Sequence, residues 1–501
     1  MPVLNRRQFL RGMAALGGAA ALGGCANAPG RLHTAALSAL AGPLPLPEPR
    51  TIPDPATYRA LSRLTFGPGP EELADAARMG LAGWIEGQLA PDHIDDAAVA
   101  WRLQRFDTLG LNAGDIHDVS AGLFDAVDRD TPVAELRAAT LLRQIYSKRQ
   151  LHETLVDFWS DHLNIHAAKG DGWFLKPVDD REVIRAHALG RFPDMLLASA
   201  HSPAMLVYLD NQSSSSRAPN ENYARELLEL HTLGIDAGYS QADVLALARA
   251  LTGWTVHEDG FRRGQFRFDS TRHDPGRKTV FGRPLALTGI REAEDAIDAL
   301  ARHPQTADRL ARKLALRFLG EAPPDLVDRA ARAYTASRGD IRAMLRPILL
   351  DGLPSPKPRY KRPGRFVVSA LRALAAETDA GPALQDALGR MGQLPFAWPT
   401  PDGYPDRDAV WQNNLLPRWR FAAALTDNAI GGTRINWPRI TNWLDTRAPQ
   451  TVADALSTLL LGAPLPASTR DALLDNLGAD DNDLPMALSA ALLASPDFQW
   501  Y

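Results

Sequence analysis

A single cysteine in 501 residues is the feature that most restricts how this chain can fold. Cys25 has no intramolecular disulfide partner, and one thiol cannot supply a multi-thiolate zinc site, a cysteine-held iron–sulfur cluster or a c-type haem attachment. The fold must therefore rest on a hydrophobic core, which a chain with 45% hydrophobic residues can build. Any metal site must use His, carboxylate and carbonyl ligands. The net charge of −4 provides no basic field for nucleic acid, which is excluded as a partner.

The first 25 residues predict an export signal. Arg6 and Arg7 form a twin-arginine pattern, and the uncharged run that follows, 12–24, is too short to span a membrane. The run ends in Leu22-Gly23-Gly24-Cys25, which resembles a bacterial lipobox. We therefore expect the twin-arginine translocase to export the folded protein, and a lipid on Cys25 to be its only membrane attachment, at the periplasmic or outer-membrane face. An ordinary signal with a chance cysteine is the alternative.

Composition and periodicity predict a mainly α-helical, multi-helix globular protein. Residues 26–53 are rich in Ala, Pro and small polar residues, which is typical of a tether. Helical patterns over 54–350 indicate a main domain, a Pro-rich and basic boundary follows at 351–364, and 365–501 should form a C-terminal helical sub-domain packed on the main one. A small β-hairpin with a Pro-Gly turn is expected near 266–282.

The densest set of usable polar side chains lies between residues 220 and 255, where two helical patterns are joined by a Gly-rich turn. Glu226 and Glu229 fall on one polar row of the first helix, and His231 lies at the edge of its apolar face. A solvated row beside Arg225 is one interpretation. The other makes Glu226 and Glu229 inward, catalytic carboxylates, with Glu226 and His231 as metal ligands.

Two further clusters carry candidate residues. His162 and His166 lie four positions apart, a spacing that lets two imidazoles on one helix meet a metal. His273, Asp274 and Lys278 fall within six residues of a turn, where side chains are usually exposed. The sequence thus predicts His162 and His273 as metal ligands and Asp274 and Lys278 as catalytic groups. A hydrogen-bonded core histidine and an ordinary charged turn are the alternatives.

Short motifs spread over nearly all of the mature chain form a recognisable pattern. They are Thr65-Phe66-Gly67, Phe158-Trp159 with His162, Tyr208-Leu209-Asp210, residues 220–234, Leu251-Thr252-Gly253-Trp254, His273-Asp274 with Lys278 and Gly282, His303-Pro304 with Thr306-Ala307 and Lys313-Leu314, Gly403-Tyr404 with Trp411, and Ser495-Pro496 with Phe498.

On these residues the chain resembles the bacterial family called domain of unknown function 1800, although His166 departs from the family's pattern. The resemblance implies no established activity. Members of that family are often exported, and they often accompany another exported family similar to alkaline phosphatases and sulfatases. The resemblance therefore implies a protein of that second kind as a partner.

Three functions remain open at this point. The first is an exported, metal-dependent hydrolase of an envelope or extracellular polymer, using a divalent metal bound by His and carboxylates. The second is a non-catalytic envelope scaffold that works with the phosphatase- or sulfatase-like partner, and the third is a metal-dependent oxidoreductase. Convergence of His162, the 220–231 helix and the His273 turn on one pocket would favour catalysis, whereas separate surfaces would favour a scaffold.

Overall fold

A computed structural model describes residues 42–47, 52–120, 127–286, 288–354, 356–478 and 483–501. Arg6, Arg7 and Cys25 lie outside the described residues. Within these ranges the chain forms 23 α-helices and three small two-stranded antiparallel sheets, which confirms the mainly α-helical fold. None of the helices in the described ranges is long and apolar enough to cross a membrane.

The α-helices are α1 (Pro55–Leu64), α2 (Pro70–Gln88), α3 (Ala97–Leu103), α4 (Ala113–Ser120), α5 (Thr131–Tyr146), α6 (Gln150–His162), α7 (Gly172–Asp179), α8 (Phe192–His201), α9 (Pro203–Tyr208), α10 (Glu221–Glu226), α11 (Gln241–Ala250), α12 (Ile290–Ala301), α13 (Pro304–Leu319), α14 (Pro324–Ala336), α15 (Ile341–Pro347), α16 (Pro363–Ala373), α17 (Pro382–Arg390), α18 (Leu415–Thr426), α19 (Trp437–Leu444), α20 (Pro449–Leu461), α21 (Ala467–Leu477), α22 (Leu484–Ala494) and α23 (Pro496–Gln499). Wider π-helical turns occur at Asp180–Arg185, Leu227–His231 and Ile348–Gly352, and short 3₁₀ turns at Pro91–His93, Asn211–Ser213, Gly260–Arg262 and Asp408–Val410.

Side-chain caps set the start of several helices. The Asp54 carboxylate accepts a hydrogen bond from the Thr57 amide at 2.8 Å, immediately before α1. Ser240 and Asp243 form a reciprocal capping box at the start of α11. Both arrangements satisfy amides that a helix leaves free in its first turn, so these starts follow directly from local sequence.

The strands near residue 270 pair differently from the expected hairpin. Phe266–Phe268 does not pair across the Pro275-Gly276 turn but lies against a strand that precedes it. A second, very short hairpin turns at Phe281 and Gly282, both with positive φ (52° and 68°), the backbone that tight hairpins favour. The paired strands are β1 (Trp254–Val256) with β2 (Phe266–Phe268), β3 (Thr279–Val280) with β4 (Arg283–Pro284), and β5 (Glu377–Thr378) with β6 (Thr433–Arg434).

The apolar side chains form two large buried clusters. The first is built mainly from helices between residues 60 and 353 and includes Trp159 and Phe192. The second joins α5 to helices between residues 366 and 498 and includes Phe366. Leu44 and Leu46, at the end of the segment predicted as a tether, pack against this second cluster.

The Pro-rich segment 351–364 runs through the junction of the two clusters. Arg359 and Arg362 in this segment are buried, and their guanidinium groups pair with Asp408 at 2.8 Å and Asp161 at 2.6 Å. Buried arginines need such partners because an unpaired charge is costly away from water. The junction is therefore held by ion pairs as well as by apolar contacts.

Candidate functional site

A polar seam runs between α6 and α13. Arg309, Lys313 and Arg317 follow one another at intervals of four residues, so they form one row along α13. Arg317 pairs with Asp157 of α6, and Lys313 Nζ lies 2.8 Å from Nδ1 of His162 at the end of α6. We call this arrangement the α6–α13 seam.

His162 is the hydrogen-bonding centre of the seam. Its Nε2 lies 3.0 Å from the carbonyl oxygen of His231. A carbonyl can only accept, so Nε2 carries the proton and the Nδ1 lone pair accepts from Lys313. Burial, followed by the neighbouring charge of Lys313, lowers the pKa of His162 well below its usual value. His162 is therefore a neutral imidazole, stacked on Phe158 with ring centroids 6.1 Å apart.

Lys313 has an unusual protonation equilibrium. Burial and the nearby charge of Arg309 lower its pKa to about 8, although Asp406, Asp161 and Asp402 act in the opposite direction. A lysine with a pKa near physiological pH can both donate and accept a proton, which an ordinary surface lysine does poorly.

His231 lies on the Leu227–His231 π-turn, with its ring centroid 6.4 Å from that of His162. It is buried, and neither ring nitrogen has a hydrogen-bond partner within the described part of the chain. Burial, together with Lys313 and Arg309, lowers its pKa to about 3, so the ring is neutral. A buried imidazole with both nitrogens free is rare, and π-turns often occur at functional sites.

Glu226 and Glu229 lie on either side of a change in helix type. α10 ends at Glu226 and the π-turn begins at the next residue, so the single α-helical row expected from the sequence is not maintained. Burial, and next Glu229, raise the pKa of the partly buried Glu226, and Asp402 adds to the effect. Glu229 forms an ion pair with Arg225 at 3.5 Å.

His273 and Lys278 belong to a different group. His273 Nδ1 lies 2.9 Å from the Thr252 carbonyl, and its Nε2 lies 3.3 Å from Oε2 of Glu292. Lys278 Nζ donates to the same Glu292 oxygen at 2.6 Å. The expectation that these turn residues are exposed is wrong: His273 is 8% and Lys278 3% exposed, because Glu292 of α12 supplies a buried counter-charge.

Asp274 lies beside this group and forms an ion pair with Arg249. Its carboxylate accepts from Arg249 Nε at 2.6 Å and from the Gly276 amide at 2.8 Å. The hydrogen bond from Arg249 is the main cause that lowers the pKa of Asp274 to about 2. Asp274 is therefore a weak base, and its geometry is that of a turn-holding residue.

The pairing of His162 with His166 on one helix does not occur. α6 ends at His162, so the two imidazoles do not share a helix face. The chain turns away because Asn164 donates from Nδ2 to the carbonyls of Trp398 and Thr400, at 3.1 and 2.8 Å.

In the described ranges no group of three or more His, Cys, Asp or Glu side chains has an arrangement that could hold a metal ion. The Nδ1 lone pair of His162 also faces Lys313, so a metal at this nitrogen would have to displace the ammonium group.

Two residues of the site were not proposed from the sequence. Lys313 belongs to the Lys313-Leu314 motif, and its spacing of four positions from Arg309 and from Arg317 is also visible in the sequence. Asp402 lies in the 395–411 loop and is exposed. Its electrostatic influence on both Lys313 and Glu226 depends on the proximity of segments that are distant in sequence, which no local pattern indicates.

Comparisons with known proteins give two matches. The model of the TAT (twin-arginine translocation) pathway signal sequence matches residues 3–23, so the chain is exported by that route. No curated protein and no solved structure matches the chain. The model described as Protein of unknown function (DUF1800) matches residues 59–500, and the chain therefore belongs to that family.

Proposed function

We propose that the chain is an exported cell-envelope hydrolase that acts on an envelope or extracellular polymer, with its reacting groups at the α6–α13 seam. The proposal rests on one observation: Lys313 Nζ lies 2.8 Å from Nδ1 of neutral His162, and the pKa of Lys313 is lowered to about 8. Hydrolysis needs a group that removes a proton from water and one that returns a proton to the leaving group.

The proposed roles follow from protonation state. Lys313 is the proton-transfer group, and His162 positions it by accepting from Nζ. Glu226, whose pKa is raised, is the second proton-transfer group, and exposed Asp402 marks the side of the seam that substrate reaches. His231 offers two free ring nitrogens to a substrate hydroxyl or a water.

The test is hydrolysis of a panel of cell-wall and extracellular polysaccharides by the protein purified from its own membranes. Lys313→Met and Glu226→Gln should each lower the rate by about 100-fold or more, the range for a lost acid–base group. Glu258→Gln removes an exposed carboxylate and is the matched control. If all four proteins hydrolyse a polymer equally, the seam is not the active site.

Metal dependence is a separate part of the proposal. A divalent metal would take its ligands from His162, His231 and Glu226, with Lys313 displaced from His162 Nδ1. Elemental analysis of the membrane-purified protein and of its His162→Ala variant tests whether this metal is bound. A metal bound at the α6–α13 seam should be lost when the His162 imidazole is removed, whereas a metal bound elsewhere should remain. Iron or copper at one equivalent would favour the oxidoreductase alternative.

The lipid anchor at Cys25 is also proposed. It is supported by the lipobox-like sequence and by the twin-arginine signal that precedes it. The anchor would hold the protein at the periplasmic or outer-membrane face, where polymeric substrates are found.

A scaffold role is favoured by one surface. Val410, Leu416 and Trp419 are 48%, 54% and 48% exposed within one short stretch around the start of α18. Exposed apolar residues grouped in this way are typical of protein-binding surfaces. The partner would be the exported phosphatase- or sulfatase-like protein. Leu416→Ser should abolish co-purification of that partner, while Leu245→Ser, which changes another exposed leucine on α11, should not.

A further inference from the structure

A cavity of about 260 Å³ lies where α1, the start of α16, the end of α20 and the last residues of the chain meet. None of its lining residues belongs to the α6–α13 seam or to the His273 group. The cavity is therefore a separate site from the residues proposed for hydrolysis.

Three buried basic side chains line the cavity. Arg63, Lys361 and Arg365 are 2%, 7% and 5% exposed. The other charged lining residues, Arg59 and Asp497, are exposed and offset one another. The cavity therefore has two buried guanidinium groups, Arg63 and Arg365, and no buried carboxylate side chain among its lining residues.

Arg365 donates to the carbonyls of Ser62 and Thr65, whereas Arg63 and Lys361 have fewer partners. Arg63 donates from Nη2 to the Lys357 carbonyl, but its Nε and Nη1 have no acceptor in the described part of the chain. Lys361 Nζ has Ser369 Oγ at 3.3 Å and lies 3.5 Å from the centre of the Phe498 ring. The Arg63 guanidinium also lies over the Tyr501 ring, 4.3 Å from its centre. Because no carboxylate pairs with Lys361, burial, followed by the charges of Arg365 and Arg418, lowers the pKa of Lys361 well below its usual value. An anionic ligand would supply the missing counter-charge.

Nearby carboxylates are used by other arginines. Asp157 and Asp406 pair with Arg317, and Asp408 pairs with Arg359. The effect of the excess charge is seen at Tyr501. Burial raises the pKa of its phenol, but nearby arginines, Arg365 foremost, outweigh burial and the pKa falls below its usual value.

The remaining walls are largely apolar. They are formed by Tyr58, Ala373, Leu460, Leu461 and Trp500. We propose that the cavity binds a small amphipathic oxyanion, whose carboxylate or phosphoryl group lies against Arg63 and Lys361 and whose apolar body packs on these walls. Charge-assisted hydrogen bonds from buried cations are strong, and apolar walls exclude a fully hydrated inorganic ion.

The experiment is isothermal titration calorimetry of the membrane-purified protein with octanoate, octyl phosphate and the neutral octanamide. At least one anion should bind, at least about ten-fold more tightly than octanamide, as expected for a charge-assisted pair worth about 1.4 kcal/mol or more. Whichever anion binds more tightly identifies the head group. Arg63→Met and Lys361→Met should each weaken that binding by about ten-fold or more.

Arg262→Met removes an exposed arginine outside the cavity and is the matched control, which should bind as the wild type does. Circular dichroism identifies a variant that has not folded, and Lys361→Gln then replaces Lys361→Met. Equal binding of octanamide and the anions, no binding of any of the three, or unchanged binding by folded Arg63 and Lys361 variants would each overturn the proposal.

Discussion

Replacing Lys313 with methionine should stabilise the protein at neutral pH and destabilise it at high pH. The pKa of Lys313 falls from 10.5 in the unfolded chain to about 8 in the folded protein. At roughly 1.4 kcal/mol per pH unit, the protonated ammonium costs the folded state about 3 kcal/mol. The methionine side chain would remove that cost but leave His162 Nδ1 without its donor, which costs about 1–2 kcal/mol.

The sign of this effect depends on pH. Below pH 8 both folded and unfolded wild-type chains hold the proton, so the variant should be more stable by about 1–2 kcal/mol. Between pH 8 and 10.5 only the unfolded chain holds it, so wild-type stability rises with pH while that of the variant does not. Near pH 10.5 the variant should be less stable by about 1–2 kcal/mol, the value of the lost hydrogen bond.

Urea unfolding followed by tryptophan fluorescence measures the difference, because Trp159 is buried beside His162. The free energy of unfolding is compared at pH 7, 9 and 10 for wild type, Lys313→Met and the control Lys357→Met. Lys357 is an exposed lysine, so its replacement should leave the pH dependence unchanged. A stability difference between wild type and Lys313→Met that stays constant from pH 7 to pH 10 would refute the assignment of Lys313 as a low-pKa lysine.

Cys25→Ser should move the exported protein from the membrane pellet to the soluble fraction, and a variant that still pellets would remove the lipid anchor. Glu226→Gln should have a melting temperature at or above that of the wild type at pH 7, because the raised pKa of Glu226 means that its charged form is unfavourable in the folded protein. The increase in melting temperature should vanish near pH 3, where the carboxyl is protonated in both folded and unfolded chains. The control Glu258→Gln should leave the melting temperature unchanged at both pH values. Lys278→Met should lower the free energy of unfolding by about 3 kcal/mol, because buried Glu292 then keeps only His273, at 3.3 Å, as a partner. Lys278→Met combined with Glu292→Leu should recover part of the loss, and a neutral single variant would contradict the buried pair.

Much of the fold was accessible from local sequence. Helical periodicity and caps such as Ser240 with Asp243 act within a few residues, so they predict helices and their starts without knowledge of the tertiary structure. The export signal and the exclusion of disulfides and multi-thiolate metal sites have the same basis, since they depend on composition and on one short segment.

The site was decided by contacts between distant segments. The sequence picked out His162 and His231, but the pairing of His162 with Lys313 joins residues 151 positions apart. The carbonyl of His231, 69 positions from His162, selects the tautomer of His162. Burial lowers the pKa of Lys313, and neither effect is local. The exposed turn expected at Lys278 became a buried ion pair because α12 brings Glu292 against it. Residue types indicate which chemistry is available to a chain, whereas protonation and partners depend on the dielectric and the charges that only the packed structure brings together.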